Sequence, residues 1–222
     1  MTEREVPSVD GLVIGILGGT GDQGRGLAFR FARAGHQVII GSRTQERART
    51  VAGLVGHGVQ GMANRDAALA ASVVIAAVPF EGHRELLATL APELVGKIVV
   101  DCVNPLGFDD RGAYQLPVPE GSAAEQAAAL LPDSRVVAAF HHVSAILLLD
   151  PEIDTIDLDV LVLGDDRQAT NLVQALAARI PGVRGIYAGR LRNCGQIEAL
   201  TANLVSINRR YKAHAGLRIT DI

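Results

Sequence analysis

The chain has 222 residues, of which 48% are hydrophobic and 20% charged, the composition of a folded globular protein rather than a disordered one. Aromatic residues make up 4%, tryptophan is absent and the net charge is −3, so we expect neither base-stacking platforms nor a basic field for nucleic acid. The N-terminus, Met1 to Glu5, is charged, no apolar run is long enough to span a membrane, and Cys102 and Cys194 form no metal-binding or redox spacing, so we expect a cytoplasmic protein.

Short apolar runs alternate with helical patterns through the first hundred residues. The predicted strands are 11–17, 37–40, 59–62, 72–78 and 97–102, and the predicted helices are 24–34, 45–54, 65–71 and 83–90. Strands separated by single helices predict βαβ units and a parallel sheet. Because these strands are almost wholly apolar, we expect helices on both faces of the sheet.

The second half of the chain has longer irregular stretches. Residues 104–121 contain three prolines and are predicted to form a loop, after which Ser122 and Glu125 make a capping box that opens a helix. The remaining predicted elements are strands at 135–140, 159–163 and 183–187, a helix capped by Asp165 or Asp166 and ending at Ile180, and a long helix from Asn193 to about Ala215. The acidic connector 150–159 suggests a division into a first domain, 1–150, and a smaller C-terminal part, 151–222.

A glycine loop lies between the first predicted strand and the first predicted helix. Gly19, Gly21 and Gly24 give the spacing GxGxxG, where the first glycine permits a tight turn, the second lets a pyrophosphate approach and the third allows close packing. The predicted phosphate-binding residues are Gly19, Thr20, Gly21, Asp22, Gln23 and Gly24. We therefore predict an α/β fold of the Rossmann type, with a doubly wound, largely parallel sheet and a C-terminal part ending in a long helix.

A second register of the same glycines, GxxGxxG, is typical of short-chain dehydrogenases. Those enzymes need a Tyr-x-x-x-Lys pair, and none of the three tyrosines here is followed by lysine at that spacing. That chemistry is excluded.

The end of the second predicted strand indicates which dinucleotide binds. A carboxylate at this position would bind the ribose hydroxyls of NAD, but the strand ends in Ser42 and Arg43, with Arg47 one helical turn beyond. Arginine offers a planar fork of donors that suits a 2′-phosphate. The sequence therefore predicts NADP.

The second substrate is expected beyond the carboxyl ends of the strands, near Pro79, Asn104 and the segment from Phe140 to Ser144. His141 and His142 are neighbours and point to opposite sides of an extended chain, so we do not expect them to chelate a metal, although either could donate a proton or serve a structural role. The sequence shows no catalytic lysine pattern, serine nucleophile elbow or metal-binding carboxylate pair. Hydride transfer between two bound cofactors, with no catalytic side chain and no metal, fits this pattern.

Several segments together resemble the NADP-dependent deazaflavin oxidoreductases, which exchange hydride between NADPH and coenzyme F420. The segments are 17–26, 41–43, 78–80, 138–141, 164–166, 188–193 and 207–211, so the resemblance extends over nearly the whole chain. It implies small-molecule cofactors as the binding partners, a homodimer, and direct transfer between nicotinamide C4 and deazaflavin C5.

The resemblance also implies roles for particular residues. Thr20, Ser42, Arg43 and Arg47 match positions that hold the 2′-phosphate, and Pro79 matches a residue beside the nicotinamide. Val78, the residue before it, is also predicted to bind the cofactor. The deazaflavin ring is expected against a segment made of His141, His142, Val143, Ser144 and Ala145, with Asn193 as a further lining residue. The family can carry proline at the position of Ser144, so serine is a departure in the expected ring pocket.

Two other functions fit the residues. The chain could use NADPH to reduce a C=N or C=O bond in a small metabolite, or a metal chelate, in which case a histidine proton donor would be needed. It could also be a non-enzymatic NADP sensor that reports to a partner.

Residues 184–222 carry seven Arg or Lys and two acids. Because the tail of the deazaflavin is anionic, we expect Arg190, Arg192 or the cluster of Arg209, Arg210 and Lys212 to hold it.

Overall fold

The structure, a computed structural model, describes residues 7–222, so the charged N-terminal segment lies outside the described residues. The elements in chain order are β1 (Val13–Leu17), α1 (Asp22–Arg33), β2 (Gln37–Ser42), α2 (Gln45–Val55), β3 (Gln60–Ala63), α3 (Asn64–Ala70), β4 (Val73–Ala76), α4 (Phe80–Leu94), β5 (Ile98–Asp101), β6 (Leu106–Asp109), β7 (Gly112–Gln115), α5 (Ala123–Leu130), β8 (Arg135–Ala138), α6 (Ala145–Leu149), β9 (Leu158–Gly164), α7 (Arg167–Ala177), β10 (Val183–Gly189) and α8 (Cys194–Tyr211).

Eight strands form one sheet in the order β10-β9-β8-β5-β4-β1-β2-β3. All neighbouring strands are parallel except β8 and β9, which pair antiparallel through Val137 with Gly164 and Ala138 with Leu163. The sheet therefore continues without interruption into β9 and β10, which lie beyond residue 150. The predicted Rossmann-type, doubly wound and largely parallel sheet is confirmed.

Helices cover both faces of the sheet and create two apolar cores. On one face, side chains of α1, α6 and α7, among them Phe31, Leu148 and Val173, pack against β1, β8 and β9. On the other face, α3, α4, α5 and α8 bury residues such as Leu87 and Cys194 against β4 and β5. The apolar strands are thus buried from both sides, as their composition predicts.

The structure differs from the prediction in two places in the middle of the chain. Residues 104–121 were predicted as a loop, but they contain the antiparallel hairpin β6–β7, whose turn is closed by Asp109 Oδ1 accepting hydrogen bonds from the backbone N–H groups of Arg111 and Gly112. The prolines on either side of the hairpin favoured a loop prediction and so hid the two short strands. The sequence also gave no indication of α6, a helix of five residues that tertiary contacts hold in place.

The C-terminal helix begins at Cys194 and ends at Tyr211, four residues before the predicted end, because Lys212 adopts a left-handed conformation with φ of 51°. The chain then returns to the sheet, where the buried carboxylate of Asp159 binds the guanidinium of Arg184 at 2.7 Å and the backbone N–H of Ile219 at 2.6 Å. Within residues 7–222 no helix combines the length and the apolarity that crossing a bilayer requires.

Candidate functional site

The glycine loop joins β1 to α1 and packs tightly against itself. A Cβ atom at Gly24 would lie 2.5 Å from the Cα of Gly19, so α1 approaches the loop this closely only because Gly24 lacks a side chain. Around Gly21, in contrast, a Cβ atom would meet no described atom within 4 Å. The loop is therefore closed toward the protein and open at Gly21, the position where the sequence predicts a pyrophosphate.

The first turn of α1 faces the same opening. Gly21 is the N-cap, and no side chain within residues 7–222 caps the helix, which leaves backbone N–H groups of this turn available to an anion. Asp22 is exposed and forms an ion pair with Arg25 at 2.5 Å, while Thr20 is half-buried in the loop. These features fit the diphosphate of a dinucleotide.

The tip of β2 carries the predicted cations in solvent. Ser42 is buried, whereas Arg43 and Arg47 are exposed. Thr44 caps α2 by accepting a hydrogen bond from the backbone N–H of Arg47 at 3.4 Å, so the start of α2 is set directly after Arg43. Neither guanidinium forms an ion pair with a described residue, so both charges are available to an anionic group.

The tip of β4 borders the glycine loop. The side chain of Val78 occupies the space that a side chain at Gly18 would need, and Gly18 has a φ of +64°, which glycine adopts readily. Pro79 is exposed and is the N-cap of α4. The structure thus places Val78, the residue before Pro79, against the start of the glycine loop.

The segment after β8 turns sharply at Phe140, a buried non-glycine residue with a φ of 66°. Its ring packs edge-to-face against Phe31 with centroids 5.9 Å apart. His141, His142 and Val143 are buried, whereas Ser144 and Ala145 are half-buried. Ser144 has a φ of −63°, the value that a proline ring imposes, so the backbone here already has the conformation that proline would favour.

The two histidines of this segment have different environments. His142 donates a hydrogen bond from Nε2 to the carbonyl of Ile197 at 2.7 Å, whereas neither buried ring nitrogen of His141 has a partner among residues 7–222. Burial lowers the pKa of both imidazoles, that of His141 to about 4, so both are neutral near pH 7. An unpaired buried imidazole is costly, and a polar group of a bound molecule or an ordered water would satisfy it.

Helix α8 holds the segment in place from the other side. Asn104 donates from Nδ2 to the carbonyl of His141 at 3.2 Å, and Thr201 donates from Oγ1 to Asn104 Oδ1 at 3.0 Å. Asn193, the half-buried residue before α8, lies beside Gly189, whose Cβ would be 3.1 Å from its amide nitrogen. Sequence reasoning missed Thr201, because its role depends on a partner almost a hundred positions away.

A buried polar network lies behind the strand ends and was also missed. His83 Nε2 is 2.6 Å from Asp101 Oδ2, and its Nδ1 is 3.0 Å from Gln126 Oε1. Burial alone would lower the pKa of His83, but the carboxylate of Asp101 raises it overall. Glu198 of α8 accepts hydrogen bonds from the backbone N–H groups of Ala123 and Ala124, and burial raises its pKa to about 7. The available signal was Asp101, a carboxylate that ends an otherwise apolar strand.

The basic C-terminal residues do not form a single free cluster. Arg184 and Arg218 both bind Asp159, and Arg190 lies 4.0 Å from Asp165. Within the C-terminal region 184–222, the exposed cations without an ion pair to a described residue are Arg192, Arg209, Arg210 and Lys212.

A doubly wound sheet with an open glycine loop after β1 and exposed arginines after β2 defines a Rossmann-type dinucleotide-binding protein. The profile of a family described as NADP oxidoreductase, coenzyme F420-dependent, matches residues 13–105. The F420-dependent NADP reductase of Methanothermobacter thermautotrophicus is 40% identical over an alignment that covers 94% of this chain and 95% of that protein. The enzyme of the same name from Methanocaldococcus jannaschii is 41% identical, over an alignment that covers 94% of this chain and 98% of that protein. The chain therefore belongs to the coenzyme F420-dependent NADP oxidoreductase family.

A solved structure extends the likeness to three dimensions. A crystal structure from Arthrobacter sp. FB24, provisionally described as an F420-dependent NADP-reductase, superimposes with a TM-score of 0.81 at 28% identity. The alignment covers 95% of this chain and 100% of that one. The likeness therefore includes α8 and the strands after residue 150 as well as the glycine loop.

Proposed function

We propose that the chain is an oxidoreductase that transfers hydride directly between NADP(H) and the deazaflavin coenzyme F420. The observation that carries this proposal is the 40% identity to an F420-dependent NADP reductase over 94% of the chain. That extent includes both the glycine loop and the segment after β8. The geometry agrees, since an open phosphate cradle and a buried, uncharged second segment lie at the same edge of the sheet.

The NADP end of the site uses groups that suit phosphate. The backbone from Gly19 to Gly24 and the first turn of α1 would hold the diphosphate. Thr20, Ser42, Arg43 and Arg47 would hold the 2′-phosphate, with the two free guanidinium groups supplying the charge. Val78 and Pro79 would lie against the nicotinamide.

The deazaflavin end uses backbone and neutral side chains. The ring would lie along His141, His142, Val143, Ser144 and Ala145, with Asn193 at the start of α8. The unpaired nitrogens of His141 fit a ligand with polar ring atoms, since such a ligand would relieve the cost of leaving them unsatisfied. In this arrangement residues 1–150 form the NADP-binding domain and residues 151–222 complete the deazaflavin site.

The protein needs to supply no proton for this reaction. When bound, the two cofactors supply the hydride donor and acceptor, and the chain orients them and excludes water. The low pKa of His141, caused first by burial, keeps its imidazole neutral, and His142 is committed to Ile197. We therefore assign no catalytic side chain.

The exposed cations near α8 suit the anionic tail of the deazaflavin. Arg192 is the strongest candidate, because it is exposed and directly precedes Asn193. Charge reversal, Arg192→Glu, should raise the KM for F420, with Arg210→Glu at the far end of α8 as a comparison. An unchanged KM for F420 in both variants would exclude these residues from tail binding.

We also propose a cytoplasmic homodimer. The second half of α8 exposes Ile207 and Tyr211, which continue the apolar face of the buried Leu204, and such a face suits burial against a second copy. Both cysteines are free and buried, as suits a reducing compartment. Light scattering of the wild type and of Ile207→Glu tests the dimer, since the variant should give a mass near 23.3 kDa.

The function is tested by following the loss of the deazaflavin absorbance band with purified protein, NADPH and oxidised F420. Rapid bleaching with NADPH and little with NADH is expected. If NADPH binds without bleaching, the direct-transfer proposal fails. Turnover of an imine, a carbonyl compound or a metal chelate would then identify a small-molecule reductase, and no turnover of any acceptor would identify a sensor.

A further inference from the structure

One face of α1 contacts, at three successive turns, the stretch from Phe140 to Ile153 that contains the deazaflavin segment. Gln23 donates from Nε2 to the carbonyl of Phe140 at 3.2 Å. One turn further, Gly26 lies so close to Leu148 that a Cβ atom there would be 2.5 Å from the Leu148 Cβ. The third contact is made by Arg30. The helix that opens the dinucleotide site therefore also supports the segment from Phe140 to Ile153.

Arg30 is the stronger of the two polar anchors. Its guanidinium is buried and donates to the backbone carbonyls of four residues, Leu147, Leu148, Asp150 and Ile153, at 2.5 to 2.9 Å. These carbonyls belong to the end of α6 and to the turn after it. A buried charge satisfied entirely by backbone groups holds those groups at set positions, because losing any bond leaves buried charge unpaired. The far end of the segment is thus attached firmly to α1.

The near end, at Phe140, is attached to α1 by the single hydrogen bond from Gln23, and its backbone has a conformation that needs support. Phe140 occupies the left-handed region, which costs a non-glycine residue about 1 kcal/mol. The carbonyl of Phe140 itself accepts the hydrogen bond from Gln23. The Gln23 hydrogen bond therefore fixes the carbonyl of the peptide that leads into His141, and Asn104 holds the next carbonyl.

We propose that Gln23 is a positioning residue that sets the deazaflavin segment relative to the NADP site. The inference rests on the proposed function and deepens it. Gln23 lies in the first turn of α1, beside the predicted diphosphate, where its backbone N–H has no partner within the helix and stays available to NADP. Its side chain is directed to Phe140. Through the Gln23 side chain, α1 determines the separation of the two cofactors, and the rate of hydride transfer depends on that separation.

The test compares Gln23→Met with Gln168→Met. Methionine preserves the length and flexibility of glutamine but removes the N–H donor. Gln168 is the matched control, because it is the second residue of α7 as Gln23 is of α1, and it is exposed. Three quantities are measured for each variant: the Kd of NADPH, the single-turnover rate of hydride transfer to F420, and amide hydrogen exchange of peptides covering 139–150 without any cofactor.

For Gln23→Met we expect an NADPH Kd within twofold of the wild type, a hydride-transfer rate lower by about tenfold, and faster exchange in residues 139–150. Gln168→Met should leave all three unchanged. A weaker NADPH Kd with unchanged exchange would overturn the proposal and make Gln23 an NADP ligand. Unchanged rate and exchange would also overturn it. Failure of the wild type to reduce F420 would instead contradict the proposed function, and the exchange measurement would still decide whether Gln23 holds the segment.

Discussion

The NADP end and the deazaflavin end of the site differ in how far apart along the chain their parts lie. In the proposed site, the phosphate-binding part of the NADP end lies within residues 18–47 and consists of glycines, helix N–H groups and arginines in solvent. The deazaflavin end joins Phe140–Ala145 to α1, to Asn104 and to α8, through hydrogen bonds between residues 37 to 117 positions apart. In the proposed site, charge at the first end serves binding, whereas the buried polar groups at the second end hold distant parts of the fold together. Substitutions at the two ends should therefore affect different measurements.

The largest effect is expected from Glu198→Ala, behind the deazaflavin end. The change removes the acceptor of two buried backbone N–H groups, those of Ala123 and Ala124, which should lower the free energy of unfolding by about 2–5 kcal/mol. Urea denaturation measures this loss, with the exposed Gln196→Ala on the same helix as the control. NADPH affinity at a temperature where the variant is folded should be unchanged, and a selective loss of NADPH binding would break the comparison.

Arg43→Ala at the NADP end should weaken NADPH binding and leave the stability of the fold unchanged, the reverse of Glu198→Ala. Losing a charged hydrogen bond to the 2′-phosphate should weaken NADPH binding by about 1.5–3 kcal/mol and leave NADH binding unchanged. Because Arg43 is exposed, the free energy of unfolding should change by less than about 0.5 kcal/mol. Fluorescence titration with both nucleotides measures the preference, and the exposed Arg49→Ala on α2 is the control. An unchanged preference for NADPH over NADH would remove Arg43 from the 2′-phosphate site.

The pH dependence of stability sharpens the comparison through His141. Burial, the first cause, lowers its pKa from 6.5 to about 4, with His142 adding to the decrease and Asp101 opposing it. The unfolded chain therefore binds a proton before the folded protein does, so this contribution is present above pH 6.5 and is lost as the pH falls toward 4. At pH 5 the loss should be about 2 kcal/mol.

Denaturation of the wild type and of His141→Gln at pH 7.5 and 5 gives the change in the free energy of unfolding between the two pH values for each protein. The difference between these two changes is the contribution of His141. The exposed His214→Gln serves as the control and should follow the wild type. Equal pH responses for wild type and His141→Gln would show that His141 is not held neutral in the folded protein.

The smallest effect is expected from Gly21→Ala in the open part of the loop. Its φ of −79° suits alanine and the added Cβ meets no described atom, so the free energy of unfolding should hardly change. The methyl group would occupy space predicted for the pyrophosphate, which should weaken NADPH binding by about 1 kcal/mol. Gly53→Ala in α2 also places its Cβ in open space, away from the loop, and should leave NADPH binding unchanged. Equal NADPH affinity for both variants would mean that the dinucleotide does not pass Gly21.

Prediction from the sequence succeeded where a signal is contained in neighbouring residues. The glycine loop, the cap at Ser122 and the alternation of apolar strands with helices are local patterns, and each has its counterpart in the structure. The hairpin β6–β7 escaped detection because its strands are short and flanked by prolines. The helix α6 did so because its carbonyls are satisfied by Arg30, more than a hundred residues earlier.

By itself, the sequence determined the alternation of strands and helices in the first hundred residues, the position of the open glycine loop and the cations beside it, because backbone preference and charge act over a few residues. Only the tertiary structure decided that Gln23 and Arg30 hold the segment after β8, that Thr201 and Asn104 support it, and that Glu198 caps α5 from within the core. The physical reason is that a buried polar group is stable only beside its partner, and the fold alone determines which distant residue becomes that partner.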